Sequence, residues 1–241
     1  MLRMSAELRS FAKHGPRAGP RRRPCCFTLK NLSVMGLLRT FITALRHYLR
    51  GRNRVHIVGD GELHIAPDAR LRRSKIYISP GSCVQIENRC SINGARIALL
   101  GDNNSLIFQE AARLLGGATV TMEGNSTVII GRNAGVRRVD FVAKDADITV
   151  GERCMFSNNI VVRNHDSHKV LVDGKIANPA RDIVLGKHVW IGQNVSILKS
   201  AEIGDDSILG FGSVVTKSCP PGSVMAGNPA RIIKTGVSWD Y

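Results

Sequence analysis

Six aliphatic residues, Leu185, Ile191, Ile197, Ile203, Leu209 and Val215, stand at a strict interval of six. Four residues after each comes a small or β-branched one: Val189, Val195, Ala201, Ser207, Ser213 and Cys219. A helix repeats its apolar residues near 3.6 and a half-buried strand near 2, so neither accounts for this spacing. A period of six, with Gly186, Gly192, Gly204 and Gly210 directly after the aliphatic residue, describes a short strand and a turn in each repeat. One such unit cannot bury its apolar side chain. Stacked coils can, because each side chain then lies on its equivalent one coil below, at the ~4.8 Å spacing of paired strands. The chain is read as an all-β, parallel β-helix.

Upstream, Val150, Phe156 and Val162 keep the spacing, as do Val136, Val142 and Ile148, with an offset of two between the series. Ile183 and Leu185 repeat the offset of Ile148 and Val150, which predicts the same corner on both sides of the segment between them. Before Val128 there are only short β-rich runs such as Lys75-Ile76-Tyr77-Ile78, separated by Gly-Asp-Asn or Glu-Gly-Asn turns. These fit coils with irregular corners, and an ordinary β-sandwich would explain them about as well.

A core of stacked aliphatics suits a chain that is 43% hydrophobic but only 5% aromatic. The net charge of +15 is concentrated at the front. Residues 1–54 hold 13 of the 34 Lys/Arg and only one acid, Glu7, for a net of +12; the other 21 cations and 18 acids leave +3 for residues 55–241. Residues 1–30, with Arg17, Arg21, Arg22 and Arg23 among Gly and Pro, read as a basic disordered extension. Over residues 31–50, Leu32, Met35, Leu38, Ile42, Leu45 and Leu49 recur at helical spacing with Arg39, Arg46 and Arg50 elsewhere on the wheel. This amphipathic helix suits either a cap on the open end of the solenoid or a peripheral contact with anionic lipid. No apolar run reaches the ~18–20 residues of a membrane span. No secretory signal is expected, and a start at Met35 would also account for residues 1–34. The β-helix occupies 51–234, with a projecting loop over 163–182 and a tail over 235–241.

The six cysteines, Cys25, Cys26, Cys83, Cys90, Cys154 and Cys219, make no C-x-x-C pair. Cys154 and Cys219 hold small inward positions, and a reducing, cytoplasmic setting is the expectation. A sequence pI near 10.2 points toward nucleic acid, but the charge sits in a tail without interleaved aromatics. Only weak, salt-sensitive association is expected, and no specific nucleic-acid partner.

Between Val162 and Ile183 the period stops. The interruption contains Arg163-Asn164-His165-Asp166-Ser167-His168, then Asp173-Gly174 and Asn178-Pro179-Ala180-Arg181. Loops carried on a rigid scaffold are where function concentrates. From about Val128 to Lys234 the chain resembles the hexapeptide-repeat acyltransferases, in their sugar and polysaccharide O-acetyltransferase branch. The resemblance is carried by His165-Asp166-x-His168, by Leu185-Gly-Lys-His-Val-Trp190-Ile-Gly192, by Gly210-Phe-Gly-Ser-Val-Val-Thr216-Lys217, and by Pro220-Pro221-Gly222 through Gly227-Asn228-Pro229-Ala230-Arg231.

That resemblance implies a left-handed β-helix, a homotrimer with each site between two subunits, and acetyl-CoA as co-substrate without a metal. It places His165 as the general base toward a hydroxyl of a sugar or polysaccharide. An imidazole titrates near neutrality and suits that role; there is no G-x-S-x-G elbow to supply a nucleophile. Asp166 and His168 are the candidates for orienting the ring. Trp190, Gly210, Phe211, Thr216, Lys217 and Arg231 fall on the positions that line the coenzyme groove, although Phe211 replaces a residue that is often small. Where simple sugar acetyltransferases place an asparagine one coil before the histidine, this chain has Arg137-Arg138-Val139-Asp140. Asp140, Arg137 and Arg138 are therefore the acceptor candidates, the arginines suiting an acidic glycan. Two other readings stay open: a metal enzyme like the γ-class carbonic anhydrases with His165, His168 and His188 as ligands, and a non-catalytic structural or lipid-surface β-helix.

Overall fold

The computed structural model describes residues 51–240, so the basic extension and the expected helix over 31–50 lie outside the described residues. Three parallel sheets form the faces of a solenoid of about eight turns. The first face has eight strands: Arg54–Ile57, Lys75–Ile78, Arg96–Leu100, Thr119–Glu123, Val139–Lys144, Ile160–Arg163, Ser196–Leu198 and Val214–Val215. The second has seven, from Glu62–Ile65 to Glu202–Ile203, and the third runs from Arg70–Arg72 to Ser223–Gly227, closed by the antiparallel strand Ala230–Thr235. The chain visits the faces in turn, so every coil-to-coil pairing is parallel and no sandwich forms.

The inward positions are those the period picks out. Leu185, Ile191, Ile197, Ile203, Leu209 and Val215 are all buried, and so are Val189, Val195, Ala201, Ser207, Ser213 and Cys219. Burying an aliphatic side chain of this size contributes about 1.5–3 kcal/mol, and stacking repeats that gain coil after coil. Ile148 pairs with Ile183 and Val150 with Leu185, as their matching offset predicts. The four described cysteines, Cys83, Cys90, Cys154 and Cys219, are buried; burial pushes the Cys154 thiol up to about 12 and Cys90 to about 11.

One expectation is corrected. Val142 does not face inward; Phe141 does, fully buried and 5.9 Å from the Phe156 ring. The reason is coil length. Ser196 pairs with Val214, 18 residues on, which is three sixes. Earlier coils are longer: Arg54 pairs with Lys75, and Arg96 with Thr119. Their additional residues fall between the first and second faces, Asp145 among them, whereas the third-to-first corner at Arg138 is one residue short: Val136 to Phe141 is five residues where Phe156 to Val162 is six, which turns Phe141 inward.

The glycines that follow the inward aliphatics meet a spatial constraint. A Cβ on Gly151 would lie 2.5 Å from the Gly186 carbonyl carbon, one on Gly131 equally close to that of Gly151, and one on Gly204 equally close to that of Pro220. Successive coils approach so closely at these corners that no side chain fits.

Candidate active site

The coil that carries Ile160–Arg163 does not pass directly to the second face. Val161 pairs with Ser196, 35 residues on, and the excess forms the projecting loop at the edge between the first and second faces. Asn164 closes its base. It is fully buried, its Oδ1 accepts from the Lys144 N–H at 2.9 Å, its Nδ2 donates to the Ala146 carbonyl at 2.8 Å, and its own carbonyl accepts from Arg181 N–H at 3.1 Å. Entry and exit of the loop are thereby tied to one residue. The loop's outer part is a hairpin, Leu171–Val172 with Lys175–Ile176, turned by Asp173-Gly174, both at positive φ.

His165 follows directly and is only 7% exposed. Its Nδ1 accepts from the Ser167 N–H at 3.0 Å, while Nε2 is buried with no hydrogen-bond partner among the described residues. Arg163 Nε is in the same state. Burial and then the Arg163 charge hold the imidazole below its ordinary value of 6.5. The ring is thus kept neutral, as a base must be before it takes a proton.

Of the two orienting candidates, neither holds the ring. The Asp166 carboxylate is taken by Lys199 Nζ and by Asn178 Nδ2 at 2.9 Å, and the lysine above all keeps its carboxyl below the usual range. His168 is exposed, and its peptide N–H donates to the Asp166 carbonyl. Asn178 also donates to the His168 carbonyl at 2.9 Å and accepts from Val170 N–H at 2.6 Å. Asp166 therefore braces the loop against the next coil, and the contact on the ring comes from the Ser167 backbone.

The remaining candidates divide between two edges. Thr216 and Lys217 are exposed just after Val214–Val215, on the same edge as His165 and two coils further on. Trp190, 45% exposed, is on the third face, and Gly210 and Phe211 lie at the edge between the third and first faces, with Phe211 70% exposed. Arg231 is exposed on the closing strand. Arg137 and Arg138 are exposed at the third-face end of their coil, and Asp140, on the first face, accepts from Thr119 Oγ1 at 2.6 Å. A four-residue strand separates the edges by roughly 13 Å, so one chain does not bring the two groups into contact.

The tail beyond Thr235 folds back. Trp239 stacks on His188 at 4.0 Å, donates from Nε1 to the His188 carbonyl at 2.7 Å, and lies 6.0 Å from Trp190. His188 also pairs through Nδ1 with Asp206 at 2.8 Å. It is not gathered with His165 and His168 as a ligand set. Among the described residues the one group with metal-ligand proximity is Glu62, His64 and Cys83 on the first coils, within 4.8 Å of one another.

Comparison with known proteins adds an independent line. The family model for bacterial transferase hexapeptides (six repeats) matches residues 182–217. Over 117 residues the chain is 34% identical to a polysialic acid O-acetyltransferase of Escherichia coli O1:K1 / APEC, covering 47% of this chain and 38% of the relative. It is 36% identical over 112 residues to the galactoside O-acetyltransferase of Escherichia coli strain K12, covering 45% and 54%. The matched region thus spans about half or less of these curated relatives. Among solved structures, a polySia-specific acetyltransferase superposes with a TM-score of 0.68 at 30% identity, covering 78% of this chain and 85% of that one. A second polysialic acid O-acetyltransferase gives 0.73 at 25%, covering 78% and 91%.

Proposed function

The chain belongs to the hexapeptide-repeat acyltransferases, in their sugar and polysaccharide O-acetyltransferase branch, and we propose on that premise that it moves an acetyl group from acetyl-CoA to a hydroxyl of a sugar or polysaccharide. One observation carries the assignment: the loop that breaks the repeat holds a buried, neutral imidazole whose Nε2 has no partner among the described residues. An acceptor hydroxyl is the group this nitrogen lacks.

In the proposed reaction the hydroxyl oxygen attacks the thioester carbonyl while His165 takes its proton. The C–O bond forms, the C–S bond breaks, and the proton passes from the imidazolium to the departing thiolate. To offer a lone pair at Nε2 the neutral ring must hold its proton on Nδ1, so it has to turn away from the Ser167 N–H, which would otherwise face a second donor. Lys217 and Arg231 supply cations for the coenzyme's phosphates, and Trp190 and Phe211 supply apolar surface for its pantetheine arm. Because Trp190 and Phe211 lie away from the edge that carries His165 in the same chain, we propose that each site is completed by a neighbouring copy in a closed trimer. Arg137, Arg138 and Asp140 are assigned to the acceptor.

We also propose that the reaction is cytoplasmic and that residues 31–50 contact lipid peripherally. Losing vesicle association on Leu38→Asp/Ile42→Asp supports that contact; unchanged association removes it. Incubation with acetyl-CoA carrying an isotopic acetyl group should leave label on an oligosaccharide acceptor only when all three components are present. Label released solely as free acetate would contradict transfer to sugar.

A further inference from the structure

Arg54, Lys75 and Arg96 occupy the same outward register on three successive coils of the first face. Cross-strand neighbours on one face lie about 4.5–5.5 Å apart, and like charges at that spacing destabilise a sheet. None of the three forms an ion pair with another described residue. The column continues through Thr119 to Asp140, its single acid, where the cationic stretch ends.

A second outward column runs beside it. His56 pairs with Tyr77, their rings stacked at 5.4 Å with 16° between planes. Tyr77 then pairs with Ala98, where the side chain shrinks to a methyl group. The cations, the stacked rings and the floor at Ala98 bound an open groove of about 590 Å³. The ring column leads on through Thr121 and Val142 to Arg163, two residues before His165. Five coil steps separate His56 from Arg163, roughly 24 Å at ~4.8 Å per step.

We propose that this face is a docking track for an extended anionic glycan, which lies along Arg54, Lys75 and Arg96 and on the His56–Tyr77 stack while its distal part reaches the reactive loop. The inference rests on the acetyl-transfer reading for what happens at His165, but the binding it describes is separate. Charge selects the occupant. Three stacked cations without acids call for a chain with one negative charge at regular intervals, and flat rings suit the apolar faces of sugars. The chain's own N-terminal segment is excluded on the same ground, since residues 1–50 carry eleven Lys/Arg and only one acid.

The test measures binding by calorimetry in the absence of acetyl-CoA, on the full chain, with size-fractionated sialic acid homopolymers and with neutral dextrans of matched length. Wild type should bind the anionic series, more tightly as the chains lengthen past roughly 24 Å, and more weakly as salt rises. Arg54→Ala/Lys75→Ala/Arg96→Ala should weaken that binding by about tenfold or more, and Lys75→Glu alone should act in the same direction. Arg113→Ala, on the third face, should leave it intact. Thermal unfolding should not fall in the triple variant, because its like-charge contacts are gone. Equal binding by wild type and the triple variant, or equal binding of dextran, overturns the proposal. So does column-dependent binding to phosphatidylglycerol vesicles without binding to glycan. His165→Ala separates the two readings. Glycan binding that is retained in His165→Ala and lost in the triple variant, with acetyl transfer by none of the proteins, would sink the transferase reading and leave the track standing, whereas transfer to neutral sugars without anionic-chain binding would do the reverse.

Discussion

The Ser167 peptide N–H donates to Nδ1 of His165 at 3.0 Å, and this one contact sets the protonation pattern of the ring. A donor there requires a lone pair on Nδ1, so the neutral imidazole of this conformation holds its proton on Nε2. Base action at Nε2 then depends on the ring exchanging that contact for the acceptor. Ser167 stands at φ 64, and Ser167→Pro removes the N–H donor while also imposing a negative φ. The sharper variant is therefore Ser167→Gly, which keeps the N–H and tolerates the φ; it should retain most of the activity, and kcat/KM measured against wild type checks this.

The acid limb of the pH profile follows from the charges around the ring. Burial and Arg163 depress the His165 pKa, so the free base persists below the ordinary imidazole value of 6.5. As pH falls, kcat/KM should stay level through 6.5 and decline only below it. Arg163→Gln removes a depressing charge and should move the limb upward. Identical limbs in the two proteins would mean that the titrating group is not His165.

Lys199 is the partner that places Asp166. Lys199→Met leaves the carboxylate with Asn178 alone and should raise the Asp166 pKa. Its exposure limits the effect on global stability to about 1 kcal/mol or less. The hairpin should nonetheless loosen, with faster amide exchange over 166–178 and a lower kcat.

Substitution at the corner glycines tests coil packing. Gly151→Ala forces a Cβ against the Gly186 backbone, at 2.5 Å from its carbonyl carbon, and should cost several times the ~1 kcal/mol typical of a point mutation. Gly174→Ala meets no atoms within 4 Å, though its φ of 72 still strains a side chain. It should cost less in denaturant unfolding.

If sites lie between subunits, two dead variants should repair one another. Mixing His165→Ala and Trp190→Ala subunits through unfolding and refolding should restore up to about a quarter of wild-type activity in random trimers. No recovery from properly assembled mixtures would place both residues in one chain's site.

The solenoid was most legible from Ile183 onward, because the 18-residue coils there are three sixes and keep inward residues in phase. In the earlier coils, added residues between the first and second faces, Asp145 among them, and a third-to-first corner one residue short at Arg138 break the phase, so Phe141 rather than Val142 turns inward and the period fades. His165 was legible because it sits in the loop that interrupts the repeat. Asn164, Asn178 and Lys199 were not, since their importance comes from partners up to 33 residues away that the fold alone brings together. A Trp three places from the end carries no periodic signal, and the stack of Trp239 on His188 appears only when the tail is seen on the third face.

The central claim is that acetyl transfer to a sugar hydroxyl depends on His165. Thiol release from acetyl-CoA, followed across a panel of oligosaccharides for wild type and His165→Ala, tests it most directly. The expected result is release that requires an acceptor and falls by roughly 10²–10⁴ in the variant, with unfolding transitions unchanged. Acceptor-dependent release that proceeds equally in both proteins would contradict the account.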